Sequence, residues 1–386
     1  MLAGTLVACD AVEVCAADAP GSAVTQYDAF AAQLAGAPET YDFPLADGTT
    51  EERELTLEEL QSAAAWSMSD PWSREQFQQA LNAAAEDNDV PLARIAALSA
   101  GADAETGAVH DDPTFSGALY YAVQCADYDV VPQGSTGRAE LDVWLAAAGT
   151  AGIDQRRLGA LFYQDLPCLF WPETGATPAP AAAVTDPPYP LLALTVDTDP
   201  NTPTQQAERV FSRTAGDAAL VVQQGGPHVV YGRGEACVDD AVETLLATGR
   251  LAVTGVTVCP GARAGDWYWP NAPAITDGYT EAGATVDDLL DATLGNVGFG
   301  WWDGTGELTI GCDAGGTAQY DDFSGDTLQV TLDACAWTPQ APVDGELTVT
   351  DGGAGDATGS VELPFAELDF DEGGELTGTF RGTPVG

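Results

Sequence analysis

Two short apolar runs, separated by one amphipathic segment, constrain the fold of this chain most. Leu191–Val196 and residues 218–222 each have the length and near-continuous apolarity of a strand that is buried on both faces of a parallel sheet. Between them, residues 204–214 place Ala207 and Val210 on one face of a helix. The pattern predicts a strand–helix–strand unit in which the two strands run parallel and are joined by a right-handed crossover.

One carboxyl and one imidazole side chain follow these strands. Asp199 starts the string Asp-Pro-Asn-Thr-Pro after the first strand, and His228 ends the string Gly-Gly-Pro-His after the second. Because the carboxyl ends of parallel strands meet at one edge of a sheet, we expect Asp199 and His228 to lie at hydrogen-bond distance, about 2.6–3.2 Å. Such a pair serves as acid and base to a nucleophile, commonly a serine in a Gly-x-Ser-x-Gly turn. No Gly-x-Ser-x-Gly string occurs in the 386 residues, so the sequence predicts an acid and a base without their nucleophile.

The charge balance excludes several classes of partner. The chain has 60 acidic and 12 basic residues, all of the latter arginine, for a net charge of −48. A field of that sign repels phosphate backbones and anionic lipid, so we expect neither nucleic-acid nor membrane-surface binding. There is also no run of apolar residues long enough to span a bilayer, so we predict no membrane span.

The cysteines indicate disulfides rather than a metal site. Eight cysteines fall into four sequence-local pairs, Cys9/Cys15, Cys125/Cys168, Cys237/Cys259 and Cys312/Cys335. None has zinc-ligand spacing and the chain has only two histidines, so we predict no metal and no cofactor. Paired cysteines favour an extracytoplasmic location, secreted or on the cell surface.

The beginning of the chain does not supply the export signal that such a location needs. Leu-Val-Ala-Cys9 resembles a lipoprotein cleavage string, but no basic residue precedes it and the apolar run is short. We therefore predict an amphipathic helix that carries Cys9, and expect that the chain is a part of a longer protein.

The remaining sequence divides by composition. Residues 1–172 have mainly helical periodicity, including capping boxes at Thr56–Glu59 and at Ser73–Gln76 that predict helix starts. A short hairpin is expected around Gly48. Residues 173–264 hold the two strands with Asp199 and His228, after a Pro- and Ala-rich segment.

Residues 265–386 have a different pattern, with short alternating runs separated by Gly- and Asp-rich turns. This spacing predicts an antiparallel all-β domain, a sandwich or a small barrel, with one short helix at residues 285–293. The Asp-rich turns 351–356 and 369–374 offer the oxygen ligands that calcium prefers. In so acidic a chain we interpret them as ordinary turns, because turn geometry alone selects Gly and Asp.

An ordered series of motifs resembles one known family. Five motifs occur in the following order: Ala-Val-Gln-Cys125-Ala-Asp, Cys168-Leu-Phe-Trp-Pro, the Asp-Pro-Asn-Thr-Pro string at Asp199, the Gly-Pro-His string at His228, and a closing segment from Cys237 to Cys259. They resemble tripeptidyl-aminopeptidase-like α/β-hydrolases, the secreted serine peptidases related to proline iminopeptidases. The resemblance covers residues 1 to about 260 and implies the C-terminal portion of the hydrolase, with a partial parallel sheet and a helical cap.

The resemblance also implies roles and a reaction. Asp199 would orient His228, and His228 would be the general base to a serine that this chain lacks together with the oxyanion loop. The expected function is thus the C-terminal part of a secreted serine hydrolase, inactive alone, that cleaves peptides from the amino terminus once a nucleophile-bearing half complements it. Two alternatives stay open: a non-catalytic extracellular binding module on a hydrolase remnant, and an esterase of the same fold.

Overall fold

The computed structural model describes most of the chain, in two compact units. The described residues are 2–11, 15–16, 21–110, 115–127, 137–171, 184–185, 187–261, 282–295, 302, 304–321, 327–338, 341–350 and 357–386. The first unit comprises Met1–Val12, Ala64–Glu75 and Asp111–Trp267, and the second comprises Glu13–Ala63, Gln76–His110 and Tyr268–Gly386. The division of the sequence into residues 1–172, 173–264 and 265–386 stays a prediction.

The helices and strands have the following bounds in chain order. The helices are α1 Leu2–Asp10, α2 Ala23–Gly36, α3 Leu57–Ser67, α4 Pro71–Ala84, α5 Val90–Ser99, α6 Gly117–Asp127, α7 Arg138–Ala151, α8 Thr204–Ser212, α9 Ala236–Thr248 and α10 Ala282–Leu294. The strands are β1 Glu39–Pro44, β2 Thr50–Leu55, β3 Leu191–Val196, β4 Ala218–Gln223, β5 Gly255–Cys259, β6 Leu308–Gly311, β7 Thr317–Tyr320, β8 Thr327–Ala336, β9 Pro342–Thr350, β10 Ala357–Leu363, β11 Ala366–Phe370, β12 Leu376–Phe380 and β13 Thr383–Val385. Three short 3₁₀ turns, Ile153–Gln155, Gly159–Tyr163 and Leu166–Phe170, follow α7.

The first unit contains a parallel sheet in the order β3-β4-β5. β3 and β4 pair from Leu191↔Ala218 to Val196↔Gln223, with α8 between them in sequence. Val196, Val221 and Val238 of α9 are among the buried residues of its core. The predicted strand–helix–strand unit and the partial parallel sheet are thus confirmed.

The second unit contains an eight-stranded sheet whose neighbouring strands follow sequence order from β6 to β13. Its strands alternate buried and exposed positions, as in β11, so that one face packs into a core with α10. The antiparallel prediction and the helix around 285–293 are confirmed. In the described strands each sequential hairpin adds the next strand to a single eight-stranded sheet, and the sandwich or small barrel stays a prediction. The hairpin of β1 and β2 is confirmed as well.

The turn after β11 uses its aspartate locally. The Asp371 carboxylate accepts hydrogen bonds from the backbone N–H groups of Gly373 and Glu375 at 2.9 and 3.0 Å. Turn 351–356 lies outside the described residues. Across the part of the chain that is described, no group of three or more His, Cys, Asp or Glu side chains is arranged to hold a metal ion.

Disulfides lie where the local cysteine pairs predict them. Cys125–Cys168, Cys237–Cys259 and Cys312–Cys335 have Cα–Cα distances of 5.1, 5.8 and 5.4 Å, within the range for disulfides. Cys9 and Cys15 are each disulfide-bonded too. The disulfides are consistent with an extracytoplasmic location. In the described ranges, no helix is both long and apolar enough to cross a bilayer.

Candidate active site

The ends of β3 and β4 position one carboxylate and one imidazole. β3 ends at Val196, whose carbonyl accepts from the Asp199 N–H at 3.3 Å. β4 ends at Gln223, and the chain turns through Gly226 at φ 111°, a backbone conformation that favours glycine. A Cβ at Gly226 would lie 2.8 Å from the side-chain nitrogen Nε2 of Gln223. The positive φ therefore favours glycine at this turn, two residues before the histidine.

The two side chains form a close pair. Nδ1 of His228 lies 2.9 Å from Oδ2 and 3.0 Å from Oδ1 of Asp199. The Asp199 side chain is 2% exposed, whereas that of His228 is 37% exposed. The predicted hydrogen-bond distance is confirmed. A carboxylate can only accept, so Nδ1 donates and Nε2 of the neutral ring is left as a proton acceptor.

Asp199 is surrounded by donors. Its Oδ1 accepts from the backbone N–H groups of Asn201 and Thr202, both at 2.8 Å, and its Oδ2 accepts from the Thr202 hydroxyl at 2.7 Å. Burial by itself raises the pKa of Asp199, but the hydrogen bonds from Thr202, His228 and Asn201 outweigh burial and hold this pKa below its ordinary value. The carboxylate is therefore ionised at neutral pH and can stabilise a protonated His228.

A third segment, which contains Ser69, contacts the loop after β3 and the loop after β4. The sequence motifs did not indicate these contacts. The His228 N–H donates to the Ser69 carbonyl at 2.7 Å, and the Asn201 side-chain amide donates to the Ser69 hydroxyl at 3.2 Å. The capping box at Ser73 predicts a helix start there, but α4 starts at Pro71, where the Asp70 side chain accepts from the Trp72 N–H. That prediction is wrong, because Asp70 and Pro71 supply the stronger start signal three residues before Ser73 and Arg74.

No nucleophile accompanies the pair in the described residues. The Ser69 hydroxyl accepts from Asn201, and no group of the described chain is hydrogen-bonded to Nε2 of His228. The arrangement can hold a proton at Nε2 and stabilise the resulting imidazolium through Asp199. The catalytic roles of Asp199 and His228 stay predictions.

Comparison with known proteins bears on the same region. Residues 157–259 match the family model described as TAP-like protein. Two curated relatives, each named tripeptidyl aminopeptidase and coming from Streptomyces lividans and Streptomyces coelicolor, are 29% identical to this chain over 153 residues. The match covers 38% of this chain and 26% of each relative, about a quarter of its length.

The strand order, the strand-end positions of Asp199 and His228 and the family match agree on the same stretch. The resemblance that the motifs indicate is confirmed: residues 157–259 match the TAP-like family model.

Proposed function

We propose that this chain carries the acid and the base of a serine hydrolase that removes short peptides from the amino terminus of its substrate. The single observation that supports this best is the Asp199–His228 pair, 2.9 Å apart at the ends of adjacent parallel strands. The relatives' name, tripeptidyl aminopeptidase, supports a peptide substrate. The nucleophilic serine would come from polypeptide outside these 386 residues.

The reaction would proceed in two halves. Nε2 of His228 takes the serine hydroxyl proton as the serine oxygen bonds to the scissile carbonyl carbon. The imidazolium, stabilised by Asp199, then gives that proton to the leaving amine nitrogen as the C–N bond breaks, leaving an acyl-enzyme. Water repeats the cycle: His228 takes its proton, the hydroxyl bonds to the acyl carbon, and the serine leaves with the proton returned.

The partly exposed His228 ring fits this role. A base must reach its nucleophile through Nε2, and a ring that is 37% exposed can be approached on the side away from Asp199. Asp199, by contrast, is sealed from water, which keeps its hydrogen bond to the ring strong.

The test compares the 386-residue chain alone with the chain produced together with the polypeptide encoded directly upstream. The substrate is a tripeptide with a free amino terminus joined to p-nitroaniline. We expect cleavage only by the combination, and its loss by roughly 10³-fold or more in His228→Gln. His110→Gln, at the other histidine, is the matched control and should retain the activity.

Three results would overturn the proposal or redirect it. Cleavage that survives His228→Gln contradicts the assigned base. Preference for a p-nitrophenyl ester, or for a tripeptide with a blocked amino terminus, indicates an esterase or an internal peptidase of the same fold. An upstream polypeptide without a reactive serine, and no cleavage by the combination, favours a non-catalytic binding module.

A further inference from the structure

Arg74 is a buried cation that makes its hydrogen bonds to backbone carbonyls. It lies in the first turn of α4 and is 3% exposed. Its Nε and Nη2 donate to the Met68 carbonyl at 3.0 and 2.6 Å. Nη2 also donates to the carbonyl of Gly226 at 3.0 Å and, more weakly, to that of Thr198 at 3.4 Å.

The two distant carbonyls belong to the loops that carry the acid and the base. Thr198 directly precedes Asp199, and Gly226 lies two residues before His228. One nitrogen of Arg74 thus bonds to residues 124 and 152 positions away in the chain. A planar guanidinium with several fixed donors suits such a bridge, whereas a lysine ammonium is a single point on a flexible stem.

Burial makes the charged form of Arg74 less favourable than it is in water. Burial lowers the pKa of Arg74, and the nearby carboxylates of Asp70, Asp197 and Asp199 oppose that effect. Within the described residues, no carboxylate lies close enough to Arg74 for a direct ion pair. Burying a charged guanidinium costs desolvation free energy, and three neutral carbonyls offset this cost only in part. We therefore expect Arg74 to serve by fixing the backbone that bears these carbonyls.

The same segment contacts the two loops a second time. Ser69, five residues before Arg74, accepts from the His228 N–H through its carbonyl and from the Asn201 amide through its hydroxyl. Ser69 and Arg74, near the two ends of segment 68–74, therefore each form hydrogen bonds to the loop that carries Asp199 and to the loop that carries His228. These contacts all lie within the first unit.

We propose that Arg74 is a positioning residue, which fixes the Asp199 loop against the His228 loop so that Nδ1 of His228 faces the carboxylate. Its significance for catalysis rests on the proposed function, but the positioning itself does not. Arg74 would not touch substrate. It would act by setting the geometry of the acid–base pair before substrate binds.

The test follows the Nδ1 proton of His228 by NMR in the whole ¹⁵N-labelled chain. The chain has only two histidines, so His110→Gln assigns the signals. In Arg74→Met, which keeps the apolar stem but removes the donors, we expect the Nδ1 proton to exchange with water about ten- to a hundredfold faster, the factor expected for losing hydrogen bonds from a charged donor. Arg74→Lys should give an intermediate rate.

The matched control is the second fully buried arginine. Arg94 is 2% exposed, donates to Asp313 at 2.9 Å and also to the Gly311 carbonyl, and lies in the second unit. Arg94→Met should lower the free energy of unfolding while leaving the His228 signal unchanged. A folded Arg74→Met with an unchanged exchange rate overturns the proposal. If Arg74→Met does not fold, an unchanged rate in Arg74→Lys overturns it.

Failure of this proposal differs from failure of the proposed function. An altered His228 signal in Arg74 variants, with no activity that depends on His228 in the complemented protein, leaves the positioning role standing and refutes the hydrolase. If activity depends on His228 but the His228 signal is unaltered in the Arg74 variants, the hydrolase proposal stands and the positioning role of Arg74 is refuted.

Discussion

Asp199 in the first unit and Asp89 in the second are both almost fully buried, with 3% and 5% of their surface exposed. Asp199 accepts hydrogen bonds from Asn201, Thr202 and His228. Asp89 precedes α5 at the N-cap position, yet its side chain makes no capping hydrogen bond and its Oδ1 is buried without a partner. The two sites thus differ in donors and hardly at all in burial.

The pKa values move in opposite directions as a result. Burial, followed by the carboxylates of Glu39 and Asp87, raises the pKa of Asp89 from 3.8 to about 6. Asp89, Glu39 and Asp87 line the same cavity of about 730 Å³, where like charges reinforce the effect of burial. At Asp199 the donors reverse the effect of burial. Donors therefore distinguish a carboxylate prepared to stabilise an imidazolium from one that burial pushes towards its neutral form.

The largest expected effect is at Asp199. Asp199→Ala removes the acceptor of two backbone N–H groups, one hydroxyl and one imidazole, so that four hydrogen bonds to a charged group are lost together. We expect the free energy of unfolding to fall by about 3 kcal/mol, measured by urea denaturation at pH 7.5. The exposed Asp240 of α9 is the control, and Asp240→Ala should change it by less than about 0.5 kcal/mol. Equal effects at both positions would refute the donor argument.

Removing the charge of Asp89 should raise the free energy of unfolding, whereas removing that of Asp199 lowers it. A rise of about two pKa units corresponds to at most about 3 kcal/mol of instability when the group is ionised. Asp89→Asn removes that charge, so we expect it to stabilise the chain by about 2 kcal/mol at pH 7.5, measured in the same way. Asp42→Asn, at an exposed position of the same cavity, is the matched control and should have little effect. A destabilised Asp89→Asn would show that the carboxylate has a partner that stabilises its charge.

The pH dependence of stability should distinguish Asp199→Asn, which removes the charge but keeps the shape of the side chain, from Asp89→Asn. The pKa of Asp199 is lowered on folding, so its stabilising contribution is present above the unfolded pKa of about 3.9 and is lost as the pH falls through the folded pKa. The pKa of Asp89 is raised, so its cost is present above about pH 6 and disappears as the pH falls towards about 4. In unfolding measured as the pH falls from 8, Asp89→Asn should therefore converge on the parent chain from above by about pH 4, whereas Asp199→Asn should converge from below only at lower pH, under the unfolded pKa of about 3.9. Parallel curves would contradict both assignments.

The smallest effect concerns one donor of Asp199. Thr202→Val keeps the shape of the side chain but removes the hydroxyl that donates to Oδ2 at 2.7 Å. We expect a loss of about 1 kcal/mol in the free energy of unfolding, the net value of one hydrogen bond. Thr248→Val is the control at an exposed threonine, whose hydroxyl donates to the Thr244 carbonyl and accepts from the Arg250 N–H, and it should cost less because water can replace both partners. An unchanged stability in Thr202→Val would mean that the backbone N–H groups and His228 are sufficient donors for Asp199 without the hydroxyl.

The sequence predicted the parts of this site that local pattern and motif order encode. The apolar runs predicted β3 and β4, and the residues just after them predicted Asp199 and His228. Arg74 escaped prediction because its partners are 124 and 152 residues away, and because Ser73–Gln76 suggested a different helix start. Alternation likewise predicted the C-terminal strands but not that they form a single meander, since pairing order depends on contacts between strands rather than on the period within one.

The central claim is that Asp199 prepares His228 as a base, and the tautomer of the His228 ring tests it most directly. Nitrogen NMR of the ¹⁵N-labelled chain at pH 9, well above the ordinary histidine pKa of about 6.5, distinguishes a protonated from an unprotonated ring nitrogen. The pair predicts a proton fixed on Nδ1 and an unprotonated Nε2, with this preference lost in Asp199→Ala. A ring protonated at Nε2, or one with the same tautomer in Asp199→Ala, would contradict the claim.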